Sequence, residues 1–315
     1  MSRSFFDHAF AAGPTGPAPD AGWSEPPPRK GFFTDTSICI GCKACEVACK
    51  EWNGVPQDGI YELLGSSYDN TGALGASTWR HVAFIEQPVR QADHEGADHD
   101  RAVDLGMPSF DKPGDSDGER TEFRWLMSSD VCKHCTNAAC LDVCPTGALF
   151  RTEFGTVVVQ DDICNGCGYC VPACPYGVIE RREGEPEVKN VGVAQKCTLC
   201  YDRLGAGMTP ACAKACPTES IQFGDLDELR ERADQRVRQL HESGVADARL
   251  YGADPDDGVG GAGAFFLLLD EPETYGLPPD PQASTNDLPA MWKRAGLATL
   301  GMLAAAGAAF LGSRR

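Results

Sequence analysis

Sixteen cysteines carry the chemistry this sequence can do. They fall in four tight groups. The first is Cys39-x2-Cys42-x2-Cys45-x3-Cys49, and the third repeats it as Cys164-x2-Cys167-x2-Cys170-x3-Cys174, with Pro175 following. The second is Cys132-x2-Cys135-x4-Cys140-x3-Cys144 before Pro145, and the fourth is Cys197-x2-Cys200-x11-Cys212-x3-Cys216 before Pro217. Groups one and three have the bacterial ferredoxin spacing for [4Fe–4S] ligation, and the other two stretch its middle. The reason for the spacing is geometric. Each corner of a cubane needs a thiolate. Three cysteines two residues apart let one loop curl around three corners, and the last cysteine of the motif ligates the neighbouring cluster. Motifs of this kind work in pairs, so four groups predict four [4Fe–4S] clusters and one-electron transfer.

Groups two and three lie within 132–174, so they are expected to form one two-cluster unit. Groups one and four bracket that unit and are expected to pair across it. The ligand sets follow. The first cluster takes Cys39, Cys42, Cys45 and Cys216, and the second takes Cys49, Cys197, Cys200 and Cys212. The third takes Cys132, Cys135, Cys140 and Cys174, and the fourth takes Cys144, Cys164, Cys167 and Cys170.

Two other uses of cysteine compete. An even count permits disulfides, but disulfide frameworks belong to short secreted chains and lack a repeated metal-ligand spacing. Zinc sites use CxxC pairs, and His134 sits inside Cys132-Lys133-His134-Cys135. Three cysteines in seven residues with a fourth three further on is not the zinc pattern, which leaves His134 as a residue behind the ligands or at the surface. No Ser/His/Asp set, phosphate-cradling glycine loop or paired carboxylate competes, so the protein is not expected to be catalytic by itself.

The remaining sequence must position these groups. The 315 residues include 35 Gly and 22 Pro, as in a loop-rich fold anchored on its cofactors. A net charge of −18 excludes phosphate-backbone binding and hence nucleic acid. Residues 1–30, rich in Gly, Pro and Ala, read as an extended arm wrapped on a partner or disordered, with neither a signal-peptide apolar segment nor a twin-arginine pair. Residues 31–131 hold group one, a strand at 77–87 and an acidic insertion at 88–121. The insertion has the composition of a solvated loop, and its His94 and His99 read as surface residues. Residues 132–180 form the inner two-cluster unit, with a hairpin turning near Glu153, Phe154 and Gly155. Residues 181–225 carry group four and a strand, SIQFGD. Residues 226–280 read as a small α/β appendage. It comprises a helix at 225–243, striped by Leu226, Leu229, Val237 and Leu240, and strands ARLYG and AFFLLLD.

A connector and a helix occupy 281–315. From Ala295 to Ser313 no residue is charged, and as a helix this run is about 28 Å long, near the ~30 Å of a bilayer core. Lys293, Arg294, Arg314 and Arg315 flank it, and Trp292 suits an interface. Gly301, Ala305 and Ala309 form a small-xxx-small stripe. The fold class expected is α+β: two interleaved bacterial-type two-cluster ferredoxin units, a small α/β appendage and a C-terminal transmembrane helix.

The cysteine order and spacing resemble the four-cluster iron–sulfur subunits that partner molybdenum or tungsten oxidoreductases. More narrowly, GFFTDTSICIGCKACEVACKEWN (31–53), YDNTGALGASTWRHVAFIEQ (68–87), 131–180 and KCTLCYDRLGAGMTPACAKACPTESIQFGD (196–225) resemble the beta subunit of respiratory formate dehydrogenase. The tail MWKRAGLATLGMLAAAGAAFL is similar to the single membrane helix of that subunit. The resemblance implies a molybdopterin catalytic partner that oxidises formate, a membrane cytochrome b partner and a quinone acceptor. It also implies clusters on the extracytoplasmic side of the cell membrane. Reductase or hydrogenase subunits of the same architecture, and a soluble cytoplasmic ferredoxin-like adaptor, are the alternatives. The acidic insertion and the short Ala/Gly-rich tail depart from the family pattern.

Overall fold

The computed structural model describes residues 16–58, 71–88, 123–185 and 187–312. The acidic insertion with His94 and His99, the start of the N-terminal arm, residues 68–70, and Arg314 and Arg315 lie outside the described residues.

Strand β1 (Lys30–Asp35) leads into the first cysteine group, and helix α1 (Ala44–Asn53) leaves it. Helix α1 stops at Gly54, whose φ of 57° is the left-handed cap that glycine adopts without steric cost. Strands β2 (Arg80–Pro88) and β3 (Phe123–Val131) form an antiparallel ribbon, in register from Arg80↔Val131 to Pro88↔Phe123. Strands β4 (Leu149–Arg151) and β5 (Val157–Val159) make the hairpin expected between groups two and three, and β6 (Glu180–Arg181) pairs with β7 (Ala194–Gln195). Strand β8 (Ile221–Asp225), helix α2 (Leu226–Glu242), and strands β9 (Arg249–Tyr251) and β10 (Ala264–Leu268) follow. Helix α3 (Leu288–Gly312) ends the described residues.

One four-stranded sheet, ordered β8-β1-β10-β9, ties the two ends of the cysteine-bearing region together. Strand β1 runs antiparallel to β8 and parallel to β10. Alternation along each strand splits its residues between two faces. Phe33, Phe265 and Leu267 face helix α2, where they meet Leu226, Leu229, Ala233 and Leu240. The Phe33 and Phe265 rings stack at 5.3 Å. Phe32 and Ala264 face the other way, into a core that contains Cys45, Cys132, Cys197 and Cys212. Burial of each such aromatic or leucine contributes about 1.5–3 kcal/mol. Acidic Asp227 and Glu228 in the first turn of α2 and His241 in the last complement the helix dipole.

Two expectations change. The 226–280 segment does not stand apart as an appendage, because β9 and β10 belong to the same sheet as β1 and β8. The parallel pairing of β1 with β10 joins residues remote in sequence, which local pattern cannot reveal. The described part of the N-terminal arm lies on this chain itself. Trp23 Nε1 donates to the Arg151 carbonyl at 2.9 Å. Arg29 donates to Thr136 Oγ1 at 2.8 Å and to the His134 carbonyl at 3.0 Å.

Among the described residues, one helix is long and apolar enough to cross a membrane. Its span is Ala290–Leu311, 22 residues with mean hydropathy 1.4, and none of that span is buried against the other described residues.

Candidate metal centres

The loops that carry the cysteines share a backbone device. Between successive cysteines the backbone enters the left-handed region, which turns the next side chain back toward the last. Gly41 does this in group one at φ 64°, and Gly166 does it in group three at φ 71°. At both sites the glycine is also required by space. A Cβ on Gly41 would meet the Phe84 ring at 2.6 Å, and one on Gly166 would meet the Gly192 carbonyl oxygen at 2.5 Å. In the other groups ordinary residues take the strained conformation: His134 at φ 46°, Leu199 at 55° and Cys200 at 48°. Each costs roughly 1–2 kcal/mol and persists only where its surroundings over-determine it, as ligand clamps do.

None of the sixteen cysteines is in a disulfide. Cys45, Cys49, Cys132, Cys170, Cys197, Cys200 and Cys212 are buried, Cys42 and Cys167 are exposed, and the other seven are half-buried. Their electrostatic neighbours fall into sets. Cys39 has Cys45 and Cys216 as neighbours. Cys49 has Cys197, Cys212 and Cys200. Cys135 has Cys132, Cys140 and Cys174. Cys170 has Cys164, Cys144 and Cys167. One enclosed pocket is lined by Cys132, Cys135, Cys140 and Cys174 together, with Lys133, His134 and Lys196 in its walls. Neighbouring sets are within electrostatic range of each other at Cys45 and Cys212, Cys197 and Cys132, and Cys140 and Cys170.

Small polar groups reach several of the sulfurs. Ser129 Oγ lies 3.2 Å from Cys45 Sγ. The Asn53 amide donates to Cys49 Sγ at 3.7 Å and to Cys200 Sγ at 3.9 Å. Groups two and four each end in Cys-Pro-Thr, and in both the threonine hydroxyl approaches the cysteine two residues earlier. Thr146 is 3.7 Å from Cys144 Sγ, and Thr218 is 3.8 Å from Cys216 Sγ.

Burial, then the proximity of other thiols, pushes Cys135 and Cys49 well above the usual thiol range. Burial raises Cys140 to about 12, and Lys196 only partly opposes it. Burial likewise raises Cys170 to about 11. Cys144 is the exception: burial raises it, but hydrogen bonds from Leu149, Thr146 and Ala148 lower it further. Crowded thiols of this kind do not ionise on their own. A positively charged centre that takes four thiolates supplies the missing compensation, which is the general coupling of metal binding to deprotonation. Among the described residues no three His, Cys, Asp or Glu side chains converge on the position of a single metal ion. Zinc would draw its sulfurs to about 2.3 Å of one point. Four thiolates to a set is the number that the corners of an iron–sulfur cubane require.

Sequence pattern does not reveal the buried cations around these sets. Arg80, Lys133 and Lys196 are among the largest fully buried side chains. Lys133 pairs with Asp130 and lies 5.0 Å from the Tyr176 ring centroid. Lys196 donates to the Cys197 carbonyl at 3.0 Å and to the Val157 carbonyl. Lysine is rarely buried without such partners. The one local signal is position, since Lys133 and Lys196 each adjoin a ligating cysteine. His134 is buried, not at the surface, and its Nδ1 accepts from the Val157 amide at 3.1 Å. Burial, then Lys196 and Arg151, holds it well below the usual histidine range, so it is neutral and Nε2 carries the proton.

The profile of a 4Fe-4S dicluster domain matches residues 123–226, and a second profile of that description matches residues 38–148. Over 263 residues the sequence is 38% identical to the "Formate dehydrogenase iron-sulfur subunit" of Haemophilus influenzae, covering 82% of this chain and 71% of that protein. It is 37% identical over 277 residues to the "Formate dehydrogenase, nitrate-inducible, iron-sulfur subunit" of Escherichia coli, covering 87% and 78%. It is 32% identical over 206 residues to the B subunit of the anaerobic dimethyl sulfoxide reductase of Escherichia coli, covering 64% and 76%.

Proposed function

This protein belongs to the family of formate dehydrogenase iron–sulfur subunits, and from that premise we propose that it carries electrons from a molybdopterin formate-oxidising subunit to a membrane cytochrome b. It is an electron-transfer subunit and not the catalytic one. The observation that carries the reading is the sorting of fifteen of the sixteen cysteines, all but Cys42, into neighbour sets drawn from separate parts of the sequence.

Four [4Fe–4S] clusters are proposed. Cys39, Cys42, Cys45 and Cys216 hold the first, and Cys49, Cys197, Cys200 and Cys212 the second. Cys132, Cys135, Cys140 and Cys174 hold the third, and Cys144, Cys164, Cys167 and Cys170 the fourth. When bound, each centre accepts and releases one electron. The protein does the rest. The thiols fix the positions, the buried core excludes water, and Ser129, Asn53, Thr146 and Thr218 direct polar hydrogens at sulfur. Electrostatic proximity of Cys45 to Cys212, Cys197 to Cys132 and Cys140 to Cys170 supports a linear order from first to fourth, with the two interleaved ferredoxin units side by side.

Helix α3 is proposed as a membrane anchor beside the cytochrome subunit, with the clusters on the extracytoplasmic side. Its length, apolarity and complete exposure on this chain support that reading. Anaerobic purification of the protein with its partners from membranes tests the whole proposal. Formate-dependent dye reduction together with about four iron atoms and four sulfides per cluster is expected. A zinc-dominated preparation, or a complex inert to formate, overturns it.

A further inference from the structure

Arg80 opens strand β2 and is 1% exposed. Its Nη1 donates to Ser129 Oγ at 3.0 Å and to the Ser129 carbonyl at 3.3 Å. Its guanidinium carbon lies 5.0 Å from the centroid of the Phe32 ring, which closes one side. Nε and Nη2 are buried and find no hydrogen-bond partner among the described residues. The groups that face this cation electrostatically are Cys212, Cys45, Cys197 and Cys49, two from the first cysteine group and two from the fourth. Ser129 also links Arg80 to Cys45 through the 3.2 Å contact already described.

A guanidinium does not lose its proton in a protein, and a buried charge without a counter-charge is costly. Two N–H donors buried without acceptors add to that cost. Here both deficits have the same remedy. A cubane core ligated by four thiolates is net negative, it presents sulfur acceptors, and it gains one more negative charge on reduction.

We propose that Arg80 is a shared cation for the two clusters held by groups one and four, stabilising their reduced forms and so raising both reduction potentials. Nε and Nη2 are the buried donors left for cluster sulfur, and hydrogen bonds to sulfur act on the potential in the same direction as the charge. Arg80 is therefore a positioning and tuning residue for electron transfer. The inference rests on the reading that groups one and four hold two clusters. It does not depend on how their cysteines are divided between the two, since both groups face Arg80 under either division.

The test uses the purified complex. Iron analysis of the unaltered complex judges the four-cluster reading first. Redox titration followed by electron paramagnetic resonance then compares it with Arg80→Gln. The expected result is full iron, with two clusters shifted to more negative potential by at least tenfold in their reduced-to-oxidised ratio, about 59 mV, and two unshifted. Full iron with no shift, or a shift confined to the inner pair, overturns the inference. Where Arg80→Gln loses iron, Arg80→Lys decides. Retained charge predicts full iron and potentials within tenfold of the unaltered complex. A lysine variant that loses iron, or shifts further than that, overturns the claim that the charge is what matters.

Discussion

Ser220 donates its hydroxyl to the carbonyl of Asp35 at 2.7 Å, across 185 residues of sequence. The Asp35 amide returns a bond to the Ser220 carbonyl at 2.8 Å. Asp35 ends the strand that enters the first cysteine group, and Ser220 immediately precedes the strand that leaves the fourth. The two bonds therefore close a clasp four residues from Cys39 on one side and four from Cys216 on the other.

That clasp gives the crossed ligand assignment a direct test. Cys216→Ser is expected to disturb the cluster of Cys39, Cys42 and Cys45 and to leave the signal of the set containing Cys197 and Cys200 intact. Resonance spectra of the single variants Cys216→Ser and Cys200→Ser separate the cases. Identical spectral losses in the two would mean that both cysteines serve one cluster and that the crossing is wrong.

Gly41 carries a second prediction. Alanine there meets a left-handed backbone and the Phe84 ring and Met127 sulfur at 2.6 and 2.7 Å. The conformational cost is about 1–2 kcal/mol, and overpacking adds about 1–3 kcal/mol. Gly54 has φ 57° with nothing within 4 Å of a Cβ, so Gly54→Ala isolates the conformational part. Thermal unfolding of the loaded protein should rank Gly41→Ala clearly below Gly54→Ala. Equal midpoints would show that the loop yields freely at Gly41.

The acidic insertion is expected to be dispensable for cluster assembly. The β2–β3 ribbon holds Pro88 opposite Phe123, so the two ends of the insertion stand side by side and a short Gly/Ser turn can join them. Replacement of 88–121 by such a turn should leave the iron content unchanged, and recovery of apoprotein would refute this.

These cases also mark what could be read in advance. The cysteine spacing points to [4Fe–4S] chemistry because cubane geometry is stringent, and the β4–β5 hairpin and helix α2 follow from local periodicity. The placement of β10 beside β1 does not, because parallel pairing between distant segments leaves no local trace. Arg80, Lys133 and Lys196 were equally hidden. A sequence pattern scores them as solvent-facing, and the Asp130 carboxylate, the Ser129 hydroxyl and the backbone carbonyls that receive them are brought to them by the fold. The docking of Trp23 and Arg29 was obscured by the arm's Gly/Pro-rich composition, which resembles that of a free tail.

The last prediction concerns helix α3. Its residues from Ala290 to Leu311 are exposed among the described residues. Leucine and phenylalanine supply apolar area, but much of the helix is Ala and Gly, which gain little from lipid alone. Gly301, Ala305 and Ala309 recur every four residues on one face with almost no side-chain bulk. In a bilayer such a stripe lets two helix backbones approach closely, and van der Waals packing supplies what hydrophobicity does not. Ala305→Leu separates these contributions, because it raises hydrophobicity while adding bulk to the stripe. If lipid burial were the whole of the anchoring, the variant would bind membranes at least as well and keep its partner. If the stripe packs against a helix of the cytochrome subunit, the variant should stay membrane-bound and keep its iron but release that subunit during detergent purification. The yield of haem that co-purifies with the protein is the measurement. Removal of 288–315 provides the limit: loss of both membrane attachment and quinone reduction is expected, and retention of both would leave α3 without an anchoring role.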